Sequence, residues 1–261
     1  MSQKTGFNLL KEKVPEFRNP LKMGVIITLS ILVFVTILIF FWWFDGLGWY
    51  GAIISQLILV LITIIFFYGF TTKAKAYRKK HGVLAYRYFF FHYVIPVLIT
   101  GNACIFHTFL IKGPILLHFW IALVAGIFFI LIRFLLEWNL RKAGFDEIAH
   151  GLGIYMVFPE EGVSVTSDIY SYIRHPMYTG DLFFAIGLAL LKNNLLAIII
   201  ALMSFIPFII GAKMEDRELI KRFGELHRQY INKTPIFFPN PKNIGKFLRF
   251  LFSKGNLSEN A

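Results

Sequence analysis

Long stretches without a single Asp, Glu, Lys or Arg alternate along this chain with short charged ones. The charge-free runs are Met23 to Phe44, Gly46 to Thr72, Tyr88 to Ile111 and Gly113 to Ile132. Each reaches the roughly 20 residues that a helix needs to cross about 30 Å of hydrocarbon at about 1.5 Å per residue. Apolar character resumes at Met177 to Leu191 and at Leu195 to Ala212, with only Lys192, Asn193 and Asn194 between them. So short a link makes these two segments antiparallel neighbours, a helical hairpin whose first arm is short and carries Asp181. The pattern predicts an all-α fold, a polytopic transmembrane helical bundle of about six spans, with five to seven as the range.

Past the hairpin, Leu219, Phe223, Leu226 and Tyr230 recur at helical spacing with Glu215 one turn earlier, while Arg217, Lys221, Arg222 and Arg228 lie mostly off that stripe. This predicts a C-terminal cytoplasmic amphipathic helix along the membrane surface, ended by Pro235, Pro239 and Pro241.

Basic residues set the expected sidedness, because Lys and Arg in short loops stay inside. The N-terminal segment holds Lys4, Lys11, Lys13, Arg18 and Lys22, and the turn after the first span holds none. The next loop has Lys73, Lys75, Arg78, Lys79 and Lys80, the following one Lys112 alone. Arg141, Lys142 and Arg174 mark the loop after the fourth span, Lys192 the hairpin tip, and ten more follow from Lys213 onward. The alternation predicts an integral, multi-pass protein with both termini cytoplasmic. The first span, long and flanked by polar residues with no small-residue cleavage site, is expected to stay in the mature chain rather than act as a signal peptide.

Composition agrees with the spans. The chain is 57% apolar and 16% charged, against about 45–50% and about a quarter in soluble domains. Disorder, a disulfide scaffold and an ordinary cytosolic enzyme are excluded. The net charge of +12 is then an orientation signal rather than a nucleic-acid footprint. Cys104 stands alone in an apolar run, where it fills the core.

Several motifs carry little. Gly46-Leu-Gly48-Trp-Tyr-Gly51 fits a dinucleotide fingerprint, but no strand or βαβ unit surrounds it. The sequons Asn232-Lys-Thr234 and Asn256-Leu-Ser258 fall on the expected cytoplasmic side. None of the seven histidines has a partner at ligand spacing, so no metal is expected. Arg133 and Glu137, at i and i+4 near the inner end of the fourth span, are read as an internal ion pair or a snorkelling pair, with a substrate contact as the other reading.

The concentrated signal is Arg174-His175-Pro176-Met177-Tyr178-Thr179-Gly180-Asp181, at the mouth of the hairpin. A cation, an imidazole, a phenol and a carboxylate are costly there, so a functional site is the default reading. Interfacial anchoring by Arg and Tyr is the plainer one. Glu215-Asp216 closes the second arm, and the short tip brings that pair back to face the cluster. A purely structural salt bridge from Arg174 to Glu215 is the alternative.

These residues resemble the integral-membrane methyltransferases typified by isoprenylcysteine carboxyl methyltransferase. The likeness runs through Tyr170, Arg174, His175, Pro176, Tyr178 and Gly180, then Glu215, Leu219, Phe223, Gly224, Tyr230, Pro235 and Pro239, from about Val163 to Pro239. Three positions depart from the pattern: Asp168 stands for a Gly, Asp216 for a second Glu, and His227 for the first Tyr of a pair. The resemblance implies S-adenosyl-L-methionine as cofactor and a lipophilic or lipid-modified acceptor, such as a prenylcysteine carboxylate or a phospholipid amine, at the cytoplasmic face. It implies catalytic roles for Arg174 and Glu215, cofactor binding by Tyr170, Arg174, His175, Tyr178, Gly180, Glu215 and Asp216, and acceptor contacts at Asp181, Arg133 and Glu137. The chain then divides into a cytoplasmic segment (1–22), spans one to four (23–136), a catalytic cofactor-binding region (137–239) and a basic tail (240–261). Membrane sterol reductases share the segment through Asp181, which makes an NADPH-dependent reductase the runner-up. A non-catalytic lipid-binding membrane protein is the third reading.

Overall fold

A computed structural model describes residues 6–48, 50–146, 148, 150–161 and 167–253. Lys4, Trp49 of the glycine motif, the sequon Asn256-Leu-Ser258 and the start of the family resemblance at Val163 lie outside the described residues. Among the described residues every regular element is helical. Five helical segments are long and apolar enough to cross a membrane: Pro20–Asp45 (α2), Gly51–Thr72 (α3), Ala74–Leu110, Phe119–Lys142 (α7) and Leu195–Phe223. The hairpin's first arm, Pro176–Lys192 (α9), has 17 residues and so reaches about 26 Å, just short of a full crossing.

Local chemistry explains the breaks. Asn19 caps α2 through its side chain, with Pro20 in the first turn. The Ala74–Leu110 segment is three helices, Ala74–His81 (α4), Ala85–Phe89 (α5) and Ile95–Leu110 (α6), with Gly82 at φ +54° and a π-turn at Phe90–Val94 between them. The loop inferred between the second and third spans is therefore largely helix. Pro207 cannot donate a backbone bond, and the last long segment divides there into Leu195–Ser204 (α10) and Ile206–Phe223 (α11). At the hairpin tip Asn193 takes the left-handed conformation and Asn194 caps α10 by accepting from Ala197 N.

The expected tail helix does not run unbroken. Gly224 at φ +62° ends α11, and Glu225–Lys233 (α12) starts afresh. Its buried side chain is His227, whereas Leu226 is exposed, so the inferred apolar stripe does not continue past the break. The strongly amphipathic helix is instead Ile244–Phe252 (α13), within the segment read as a basic tail. The N-terminal segment is also more than a flank: Gly6–Lys13 (α1) and the turn after it bury Leu9, Leu10, Val14 and Phe17. Phe17 meets Phe90 edge-on, and Arg87 Nε donates to Glu16 Oε1 at 2.6 Å.

Helix α9 is the centre of the bundle. It lies along α7 so closely that a Cβ at Gly187 would stand 2.9 Å from the Gly126 carbonyl oxygen, the small-residue contact by which membrane helices approach. Helix α6 packs on α9 as well, but α6 and α7 scarcely meet, which leaves a cleft between them above α9. At the hairpin-tip end, a buried polar network joins α2, α3 and α6. His107 Nε2 lies 2.9 Å from Asp45 Oδ2 and His107 Nδ1 2.9 Å from Gln56 Oε1, while Ser55 Oγ donates to Asp45 Oδ1. Gln56 Nε2 donates to the Cys104 carbonyl, so its Oε1 must accept, and Nδ1 of His107 must carry the proton.

Asp45→Ala would leave a fully buried imidazole without its carboxylate. It is expected to lower stability in detergent by about 3 kcal/mol, against at most about 1 kcal/mol for Ser55→Ala, as measured by denaturant unfolding of each variant.

Candidate functional site

The hairpin mouth opens on a cavity of about 520 Å³, within the usual range for small-molecule sites. Its wall includes Tyr170, Arg174, His175, Tyr178 and Asp181 from the first arm and its approach, Glu215 and Asp216 from α11, and Arg133 and Glu137 from α7. Gly180 is the one inferred site residue that does not line it. A Cβ there would sit 2.7 Å from Arg133 Cδ, so this glycine makes room for the Arg133 side chain rather than for a ligand.

Asp216 is the hub of the polar end. Its Oδ2 accepts from Arg174 Nη2 at 2.9 Å, its Oδ1 lies 3.2 Å from His175 Nε2, and His227 Nε2 is 3.6 Å away. The ion pair of Arg174 therefore runs to Asp216, not to Glu215 as the structural alternative had it. Glu215 instead accepts from Tyr178 Oη at 2.5 Å, with its other oxygen 3.6 Å from His175 Nδ1. The His175 and Tyr178 rings stack within 6° of parallel, one turn apart at the start of α9. The shorter Asp at 216 reaches because α11 continues past the span as helix and holds its side chain against the loop before α9.

Arg174 does more than pair. Its Nη1 donates to the carbonyls of Ile231 and Thr234, both at 2.7 Å, which ties down the end of α12. Backbone bonds from Arg174 N to Pro235 O and from His175 N to Ile236 O run the two segments side by side. Arg174 Nε and His227 Nε2 are buried with no hydrogen-bond partner. Burial holds the His227 imidazole below its ordinary value despite the nearby Asp216, and it pushes the phenols of Tyr170 and Tyr230 up. Asp168 adopts φ +54°, a conformation glycine takes freely, which explains the glycine expected there.

Deeper along α9, one turn past Tyr178, Arg133 Nε lies 3.2 Å from Asp181 Oδ1 and Arg133 Nη1 donates to Glu137 Oε2 at 3.1 Å. Arg141 takes the other oxygen of Glu137. Much of the rest of the wall is apolar, with Phe67, Val97, Leu98, Met177 and Phe208, and Leu98 is itself exposed.

Sequence reasoning missed several wall residues. Glu218 and Arg222 are paired with each other, and Arg222 also donates to the Tyr155 carbonyl. They follow Glu215 at i+3 and i+7, so helical spacing alone would have put them on its face. The roof from His150 to Pro159, which includes the short helix Ile154–Val157 (α8), bears no motif. It is fastened by Tyr86 Oη donating to Leu152 O and by Arg78 gripping Glu160.

The resemblance seen in the sequence is borne out by comparison with known proteins. Residues 121–226 match the phospholipid methyltransferase family. The chain is 33% identical over 76 residues to a protein-S-isoprenylcysteine O-methyltransferase of Schizosaccharomyces pombe, covering 29% of this chain and 32% of that one. It is 36% identical over 81 residues to the Xenopus laevis protein of that name, covering 31% and 28%. Against the methanethiol S-methyltransferase of Pseudomonas deceptionensis it is 32% identical over 82 residues, 31% of this chain and 30% of the other. The chain thus spans about a third of the length of the curated relatives it matches. No solved structure matches.

The anchoring role of Arg174 has a direct test. The single nitrogen of a lysine cannot stand both where Nη1 meets the two carbonyls and where Nη2 meets Asp216, so Arg174→Lys should cost about 1.5 kcal/mol or more of charged hydrogen bonding. Roughly tenfold faster tryptic cleavage at Arg228 and Lys233, in limited proteolysis of the detergent-purified protein, is the expected result.

Proposed function

We propose that this chain is an integral-membrane methyltransferase that uses S-adenosyl-L-methionine and acts on a lipophilic acceptor. The observation that carries the reading is the two-ended cavity. A cluster of carboxylates, imidazoles and a phenol closes one end, and apolar helix faces beside an open cleft form the other. The family match and the named relatives support the reaction class.

The residues present fit the cofactor's chemistry. Its ammonium and ribose hydroxyls need acceptors, which Glu215 and Asp216 offer. Its adenine or sulfonium suits the stacked faces of His175 and Tyr178. Its carboxylate needs a donor, and Arg174 keeps an unpartnered Nε–H. With Nη1 held by two carbonyls and Nη2 by Asp216, that grip is single-pronged. Tyr170 closes the wall beside them, its backbone carbonyl held by Tyr230 Oη at 2.7 Å. When bound, the cofactor supplies an electrophilic methyl group on a sulfonium.

The protein's own part is to align and to exclude water. Positioning of two reactants contributes roughly 7–11 kcal/mol of such a barrier. The roof fastened by Arg222, Tyr86 and Arg78 covers the polar end, and the apolar wall admits an acceptor chain through the cleft between α6 and α7. Arg133, Glu137 and Asp181, one turn deeper than Tyr178, meet the acceptor's head, whether a prenylcysteine carboxylate, a phospholipid amine or a similar group. The basic residues of the loops support a cytoplasmic placement for this mouth and for both termini.

Calorimetric titration of the purified protein separates the readings. S-adenosylmethionine and its demethylated product should both bind and NADPH should not, and Glu215→Ala should weaken the first two by about tenfold or more. Preference for NADPH, or no binding of either class, would sink the methyltransferase reading.

A further inference from the structure

Helix α13 has an apolar face that the protein leaves uncovered. Phe247 and Leu251 are buried against Leu136 and Leu140 of α7 and against Ile169 and Ile173. Ile244, Leu248 and Phe252, four residues apart in turn, form the adjoining face and stay 44%, 48% and 73% exposed. The remaining arc carries Lys246 and Arg249, with Lys242 just before the helix. All three are exposed and make no ion pair among the described residues, and no acidic residue lies between Pro239 and Ser253. An apolar arc bordered by unopposed cations suits a helix lying in a lipid interface.

Its depth is fixed independently. Asn139 Nδ2 donates to the Leu251 carbonyl at 3.2 Å, and Lys142 Nζ reaches the Ser253 carbonyl. Those anchors sit in the last turns of a membrane-crossing helix, beside the exposed Trp138, whose ring Lys142 covers at 5.6 Å. Exposed tryptophan followed by Arg141 and Lys142 marks the level where hydrocarbon gives way to headgroups. Helix α13 is therefore held at headgroup depth.

We propose that α13 is an interfacial anchor that binds anionic phospholipid headgroups through Lys242, Lys246 and Arg249 while Ile244, Leu248 and Phe252 enter the acyl boundary. The same helix supports the site: Tyr172 packs on Phe247 and Phe250 with ring centroids 5.5 and 5.3 Å apart, and Ile173, buried against α13, immediately precedes Arg174. Lipid charge thereby sets how firmly the Arg174 segment is braced. The proposal concerns a surface outside the cavity and stands whether or not methyl transfer is the reaction.

Hydrogen exchange of the full chain in lipid nanodiscs tests it. Backbone amides of residues 244–252 should exchange at least about tenfold more slowly in discs containing phosphatidylglycerol than in pure phosphatidylcholine. The difference should shrink in about 0.5 M salt. It should vanish in the triple variant Lys242→Gln, Lys246→Gln, Arg249→Gln and persist in the control Arg217→Gln, Lys221→Gln. Equal exchange in both lipids, a difference that survives the triple variant, or one that the control abolishes would each overturn the proposal.

Discussion

Asp216 sits where a charge is hard to keep, buried at the end of a membrane-crossing helix. It is tolerable there only because Arg174 and His175 donate to it and His227 stands close by. That requirement organises the polar end of the molecule. Arg174 must come from the loop before α9, and its Nη1 then fastens the carbonyls that end α12. The segment after α12 is drawn alongside residues 174 and 175 and closes the wall. Without the carboxylate, the approach to α9 and helix α12 would lose their common partner.

The same economy governs the deeper level. Arg133 crosses α9 over Gly180 because no side chain stands in its path, and it reaches both Asp181 and Glu137. The cavity thus has two polar tiers about one helical turn apart, joined to an apolar wall that faces a cleft between helices. Charges at each tier are paired within the protein, and the unpartnered Nε of Arg174 and Nε2 of His227 lie at the upper tier. This is the physical content of the methyltransferase reading: polar groups at one end, an apolar wall at the other, and a fastened segment over the polar end.

Much of this was legible from the chain. Charge-free runs of membrane length, the Lys192-Asn193-Asn194 tip and the Arg174 to Asp181 cluster placed the hairpin and brought Glu215-Asp216 back to it. What spacing did not reveal was the pairing: Arg174 belongs to Asp216, and Glu215 to Tyr178. Side-chain length alone favours the longer Glu, but the direction in which each Cβ leaves α11 decides the matter. Glu218 and Arg222 lay within reach of a helical-face argument, whereas His150 and Tyr155 of the roof carry no periodic signal at all. Likewise the tail after Pro239 reads as basic by composition, yet its apolar residues recur at helical spacing and pack against α7 and residues 169–173.

The sequence by itself determined the solvent in which each segment lives, because transfer of charge into hydrocarbon is so costly that composition alone separates span from loop. Local chemistry also sets where helices start and stop, at Asn19, Pro207, Asn194 and Gly224, since capping and backbone freedom act over a few residues, although the apolar pattern carried the tail helix straight across Gly224. Only the tertiary structure decided which polar groups share a partner, that α6 and α7 stand apart above α9, and that α13 rests at headgroup depth. Those outcomes depend on contacts between residues far apart in the chain, where packing and the obligation to satisfy every buried donor choose among arrangements that local pattern leaves equal.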